Sequence, residues 1–223
     1  MSRAGSGGPA AAARVISAVA GWRPAGPGTL VLAIDGHGGA GKSTIAGVVA
    51  RATGAALVHT DDFFTPQPRP AAGGPAGARP LGCYYDWRRL RAQALEPLRA
   101  HRAAAFRRFD WERGSGLGGT VAVEPSSLIL VEGVFSAAPE LSDLVDRSVF
   151  VDTPEQERLR RLRRRVTPEE WDADWLRAER AYFGLTRPPP AYDLVVPGTG
   201  AAPGRAPTGY HVRKPHGSSG RPG

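Results

Sequence analysis

Residues Thr29–Thr44 read TLVLAIDGHGGAGKST: a short apolar run, a glycine-rich turn, then Lys42, Ser43 and Thr44 entering a helical pattern. Gly36, Gly41, Lys42 and Ser43 fit the spacing G-x-x-x-x-G-K-[ST], the P-loop. To hold phosphate oxygens, successive backbone N–H groups must point into one concavity, which requires glycines that tolerate unusual φ/ψ. The helix that follows begins at the phosphate, where its free N–H groups and its dipole favour an anion. Lys42 is expected to reach the β/γ-phosphates, and the Ser43 hydroxyl to ligate Mg²⁺. Gly36, His37, Gly38, Gly39, Ala40, Gly41, Lys42, Ser43 and Thr44 are therefore the expected phosphate site. His37 is expected to contribute its backbone, with an exposed ring.

The rest of the composition supports this reading. Of 29 basic residues only Lys42 and Lys214 are lysines. A chain that uses arginine almost everywhere has put a lysine where a compact point charge is needed. Leu30–Ile34 is strand-like and Ile45–Ala52 helix-like. With 223 residues, the chain has the length of one α/β domain with tails. The alternation of apolar runs and helical patterns predicts a three-layer α/β sandwich around a central parallel sheet.

The net charge of +8 does not by itself imply nucleic acid, because four of those charges (Arg205, Arg213, Lys214, Arg221) lie in residues 198–223, which carry no acid. That segment, rich in Gly, Pro and Ser, is expected to be a disordered basic tail. No apolar run approaches the length of a membrane span. The single cysteine, Cys83, fits a reducing cytoplasm.

Along the chain, residues 1–28 are expected to form a mobile N-terminus with a short helix carrying Val15, Ile16, Val19 and Trp22. Residues 29–197 form the expected catalytic domain. Ala55–His59 reads as a second strand ending in Thr60-Asp61-Asp62-Phe63-Phe64. In open α/β sheets ligands sit beyond the carboxyl ends of strands, so Asp61 is placed either to accept a proton from an attacking hydroxyl or merely to cap the loop. Residues 65–82 form a Pro- and Gly-rich loop. Asp86 opens a helix over 87–96 that Pro97 should kink or end, and is placed to cap it.

Phe106–Trp111 and Thr120–Val123 alternate like a hairpin, whose aromatic residues either pack or stack on a ligand. Leu128–Val131 reads as a buried strand ending in Glu132-Gly133, a carboxylate placed to reach Mg²⁺ or to pair at the strand end. Leu141–Val145 reads as helical, and Arg147–Val151 as a further strand. Pro154 opens a helix in which Leu159, Leu162 and Val166 make a narrow apolar face. Its six arginines have only Glu157 at ion-pair spacing, so the run is either a solvated face or a site for an anion such as a triphosphate. Thr167 and Glu170 start another helix, with Trp171, Trp175, Ala178 and Tyr182 on one face. Tyr192–Val196 is the last expected strand.

Together these motifs resemble the uridine kinase and phosphoribulokinase-like group of P-loop kinases. The P-loop followed by strand-Thr-Asp-Asp-Phe-Phe, Val131-Glu132-Gly133 and the Arg-rich lid carry the resemblance across about residues 29–199. It implies Asp61 as base, Lys42 with the lid arginines Arg161 and Arg165 in catalysis, and Ser43 with Glu132 on Mg²⁺. It implies Asp62, Phe64, Asp86, Phe109 and Trp111 on the substrate. Phe64 stands where nucleoside kinases usually carry tyrosine, and Gly114 where they carry a base-reading histidine, so the acceptor stays open. The expected partners are ATP and a small hydroxyl-bearing molecule, without membrane or nucleic acid. The oligomeric state is left open. The alternative is a nucleotide-dependent switch or accessory ATPase acting on a macromolecule. A GTPase would need a guanine-reading Asn-Lys-x-Asp, and Lys214 lies in His-Val-Arg-Lys-Pro-His.

Overall fold

A computed structural model describes residues 7–22, 28–65, 84–164 and 173–198. The sequence readings at Cys83, Arg165, Val166, Thr167, Glu170, Trp171 and the basic tail, and those along the Pro-rich loop from residue 66 onward, lie outside the described residues.

The apolar runs form a five-stranded parallel sheet: β1 (Leu30–Asp35), β2 (Ala56–His59), β5 (Leu128–Glu132), β6 (Arg147–Asp152) and β7 (Leu194–Pro197), in the order β2-β5-β1-β6-β7. β1 and β5 are buried at every residue, as interior strands covered on both faces must be. Side chains alternate across the sheet. Leu32, Ile34, Leu128 and Leu130 face α1 (Gly7–Trp22) and α2 (Lys42–Thr53). Val31, Ala33, Ile129 and Val131 face an aromatic-rich layer that includes Phe63, Tyr85, Phe135 and Tyr182. Burying one such aliphatic side chain contributes roughly 1.5–3 kcal/mol, so the two clusters fix the strand register.

α1 is longer than the sequence suggested. It begins at Gly7, because Ala10–Ala13 are strong helix formers and Pro9 falls in its first turn, where its missing N–H costs nothing. Ala11, Ala12, Val15 and Val19 are buried against α2 and the sheet.

The helix after Asp86 also runs further than expected, continuing past Pro97 to Arg99. α3 (Trp87–Leu90) passes through a π turn at Arg91–Leu95 into α4 (Glu96–Arg99). The wider turn, with Glu96 N–H bonded to the Arg91 carbonyl, absorbs the proline's missing donor and its steric demand.

Leu141–Val145 is not an α-helix. It holds the end of a 3₁₀ turn at Pro139–Leu141 and tight turns after it, because Asp146 already binds the Val31 N–H at 2.8 Å to start β6. β3 (Ala104–Phe109) and β4 (Leu117–Val123) form the expected antiparallel hairpin beside the sheet. α5 (Glu155–Leu162) and α6 (Ala173–Ala181) follow β6. No helix among the described residues is long and apolar enough to cross a membrane.

Candidate active site

The P-loop turns sharply between β1 and α2. Gly36 has φ 141°, and a Cβ there would lie 2.7 Å from the Val151 carbonyl oxygen, so only glycine fits. Gly41 precedes α2 with no side-chain cap, which leaves the first-turn N–H groups facing an anion site. Lys42 is buried, with Nζ donating to the carbonyls of Gly36 at 2.8 Å and His37 at 3.0 Å. The loop is thus closed around its own lysine.

Two carboxylates that the sequence reading overlooked hold this loop. Asp35, fully buried at the end of β1, accepts from the N–H groups of Gly36 and Phe135 and from the hydroxyls of Tyr192 and Tyr182. Burial raises its pKa against those bonds. Glu179 on α6, also buried, accepts from Gly38 N–H and Trp175 Nε1 through Oε1, at 3.0 and 2.8 Å. Its Oε2 lies 3.0 Å from His37 Nδ1 and 3.8 Å from Arg158. Burial alone would raise the Glu179 carboxyl, but the hydrogen bond and charge of His37 and the Gly38 N–H hold it below its ordinary value. The expectation of an exposed His37 ring is therefore corrected. The ring pairs with Glu179 and packs 4.3 Å from Phe183.

The parallel register aligns His59 at the end of β2 with Glu132 at the end of β5. Glu132 is buried, takes the Ser43 hydroxyl at 3.2 Å on Oε2, and is held by His59 Nδ1 on Oε1. Burial, which would lower the His59 pKa, is outweighed by the hydrogen bond and charge of Glu132, with Asp62 and Asp61 adding to it, and the pKa rises to about 9. Gly133 has φ 146°, and a Cβ there would collide with the Thr60 side chain, which explains the glycine after Glu132.

Asp61 lies in the 3₁₀ turn Thr60–Phe63 directly after β2. The Tyr85 hydroxyl donates to its Oδ1 at 3.0 Å. Burial and the Glu132 charge push Asp61 up to about 6, against the opposing pull of Lys42, Tyr85 and His59. Burial likewise raises Asp62, opposed by His59, Arg108 and Arg89.

Ser43, Asp61, Asp62 and Glu132 line a cleft of about 390 Å³ together with Phe109 and Trp111 of the hairpin. Phe64 packs behind them, 5.2 Å from Phe109 and 4.9 Å from Trp111. The Ser43 hydroxyl and the Glu132 carboxylate form an all-oxygen pair that fits a hard cation such as Mg²⁺, which takes few protein ligands and completes its shell with phosphate and water.

Asp86 and Arg161 stand elsewhere. Asp86 lies off the cleft and caps α3, with Oδ1 accepting the Arg89 N–H at 3.0 Å. Arg161 sits on the carbonyl side of the P-loop, bonded to Glu157 and to the carbonyls of Gly39, Ala40 and Gly198. The expectation that these arginines repel one another without an anion is corrected for Arg158, Arg160 and Arg161. Glu157 takes both Arg160 and Arg161, Arg158 is buried against Glu179, and Glu155 pairs with Arg180. Glu179 and the Arg158 burial were hidden because the sequence marks the α6 helix by its apolar face of Trp171, Trp175, Ala178 and Tyr182, and nothing local pairs Glu179 with the P-loop. Trp175 at i−4 was the one available signal.

This geometry can be set beside known proteins. A possible uridine kinase from Bacillus stearothermophilus has a similar structure, with TM-score 0.63 and 22% identity, covering 84% of this chain and 98% of that one. The fold is that of a P-loop kinase. A protein from Silicibacter sp. TM1040, provisionally assigned as a fructose transport system kinase, matches with TM-score 0.58, 22% identity and the same coverage. In sequence, the chain is similar to a uridine kinase of Halobacterium salinarum, 27% identical in an alignment of 147 residues that covers 62% of this chain. The match spans 63% of that relative, somewhat under two thirds of its length. No family model matches the chain.

Proposed function

We propose that this chain transfers the γ-phosphate of ATP to a hydroxyl of a small molecule. The observation that carries the reading is the convergence of Asp61, Glu132 and Ser43 on one cleft at the mouth of the P-loop, together with an aromatic wall. A phosphoryl group held by the loop amides and Lys42 faces a carboxylate tuned to about 6, close to what a base working near neutral pH requires. Asp61 accepts the proton of the acceptor hydroxyl, and the Tyr85 hydroxyl fixes the orientation of its carboxylate. Ser43 and Glu132 would hold Mg²⁺, which neutralises charge on the phosphates. His59 and the β2–β5 register keep Glu132 in place. Phe109 and Trp111, backed by Phe64, supply an apolar wall that positions the acceptor and excludes water, which would otherwise compete as nucleophile.

The test is ADP release with Mg-ATP against a panel of hydroxyl compounds, uridine and cytidine included. Stimulation by one compound is expected, with a loss of about 10² or more in turnover in Asp61→Asn, in keeping with removal of a general base. Slow ADP release that no compound changes, but that a nucleic acid or protein stimulates, would favour the nucleotide-dependent switch instead.

A further inference from the structure

The hairpin carries one irregularity, and it falls at the cleft. β3 and β4 pair in register from Ala104 with Val123 to Arg107 with Thr120, then slip and pair again at Phe109 with Leu117. Ala104, Phe106 and Phe109 are the buried residues of β3, a step of two followed by a step of three. The extra residue lies on β4, where Gly118 and Gly119 together oppose the single Arg108, and such bulges bend a strand pair beside active sites. At this bulge Phe109 is buried and Arg108 exposed, and both join the cleft lining with Asp61, Asp62, Glu132 and Trp111.

Two adjacent arginines thus serve different ends. Arg107 closes the hairpin, donating from Nε to the Gly118 carbonyl at 3.0 Å and from Nη2 to the Leu117 carbonyl at 2.5 Å. Arg108 has no comparable hydrogen bond or close ion pair among the described residues, and the charge it acts on is Asp62. Asp62 is also served by His59 and Arg89, so it does not require Arg108. Asp110, the next acid of the hairpin, is committed to its turn, accepting the N–H groups of Glu112 and Arg113. The other basic group of the cleft, His59, is paired with Glu132, so the exposed Arg108 guanidinium is the one that presents a planar fork matching a phosphate or carboxylate.

We infer that Arg108 anchors an oxyanion on the acceptor, so that the substrates are small alcohols bearing a phosphate or carboxylate on the hairpin side and the reacting hydroxyl at Asp61. This rests on the kinase reading above. A cleft of about 390 Å³ suits one such molecule.

The experiment compares matched acceptors with the full chain and Mg-ATP: neutral sugars and polyols, their phosphate monoesters, and hydroxy acids of the same length. One anionic series is expected to exceed its neutral parents by at least about tenfold in kcat/KM, and which series does so tells phosphate from carboxylate. Arg108→Gln should cut that preference to within about threefold, chiefly through KM for the anionic acceptor, and Arg108→Lys should keep part of it. Neutral acceptors turned over as well as anionic ones, or a preference that survives in Arg108→Gln, would overturn the inference while leaving the kinase reading intact. No phosphorylated product in any arm would overturn both.

Discussion

At the scale of single residues, Asp61 carries the most chemical content. Its carboxyl is raised to about 6 by burial and by Glu132, and the Tyr85 hydroxyl pulls it down by favouring the ionised form. The base must be ionised to accept a proton, so kcat/KM for the acceptor should rise with pH through about 6. Tyr85→Phe removes a donor to the carboxylate and should move that acid limb to higher pH. A pH profile whose limb stays put or moves lower in Tyr85→Phe would place the base elsewhere. Asp61 was visible in the sequence, because an acid that ends a strand after a P-loop has few other places to go. Tyr85 and His59 were not recognised as its neighbours. Tyr85 comes to Asp61 across 24 residues of chain, and His59 meets Glu132 across 73.

At the scale of elements, α6 ties the nucleotide loop to the aromatic layer. Glu179 binds the Gly38 N–H and His37, and its partner Trp175 packs 5.3 Å from Phe135 and 6.5 Å from Phe64. Removing this buried carboxylate strands the Gly38 N–H, the Trp175 indole and the Arg158 guanidinium together. Glu179→Ala is therefore expected to cost about 3 kcal/mol of stability and also to raise KM for ATP, because the loop loses its outer support. Chemical denaturation and initial rates measured together check this, and a variant with unchanged ATP KM would reduce Glu179 to a packing role. The hairpin, β2, β5 and α2 were legible because each has its own periodicity or caps. The start of α1 and the path through Pro97 were not, since a π turn answers to packing on both sides of the proline rather than to a local signal.

At the scale of the whole molecule, ligand linkage is the direct check on the nucleotide site. Mg-ATP at 100 times its Kd should stabilise the chain by about 2.7 kcal/mol. For a chain of this size that is a rise in Tm of about 5–10 °C. Lys42→Ala should remove most of the shift, and the absence of any shift with the native chain at millimolar Mg-ATP would contradict a nucleotide site. By itself the sequence determined the P-loop, the parallel α/β architecture, the acids at the strand ends and the aromatic hairpin, because local spacing and strand-length apolar runs encode all of these. Tertiary structure alone decided that Asp86 caps a helix, that Arg161 rests on P-loop carbonyls, that Glu179 and Asp35 brace the loop, and that Arg108, facing the β4 bulge, joins the cleft lining. Those assignments depend on which groups meet across up to 157 residues of chain, where a carboxylate or guanidinium takes whatever buried partner the packing brings within reach.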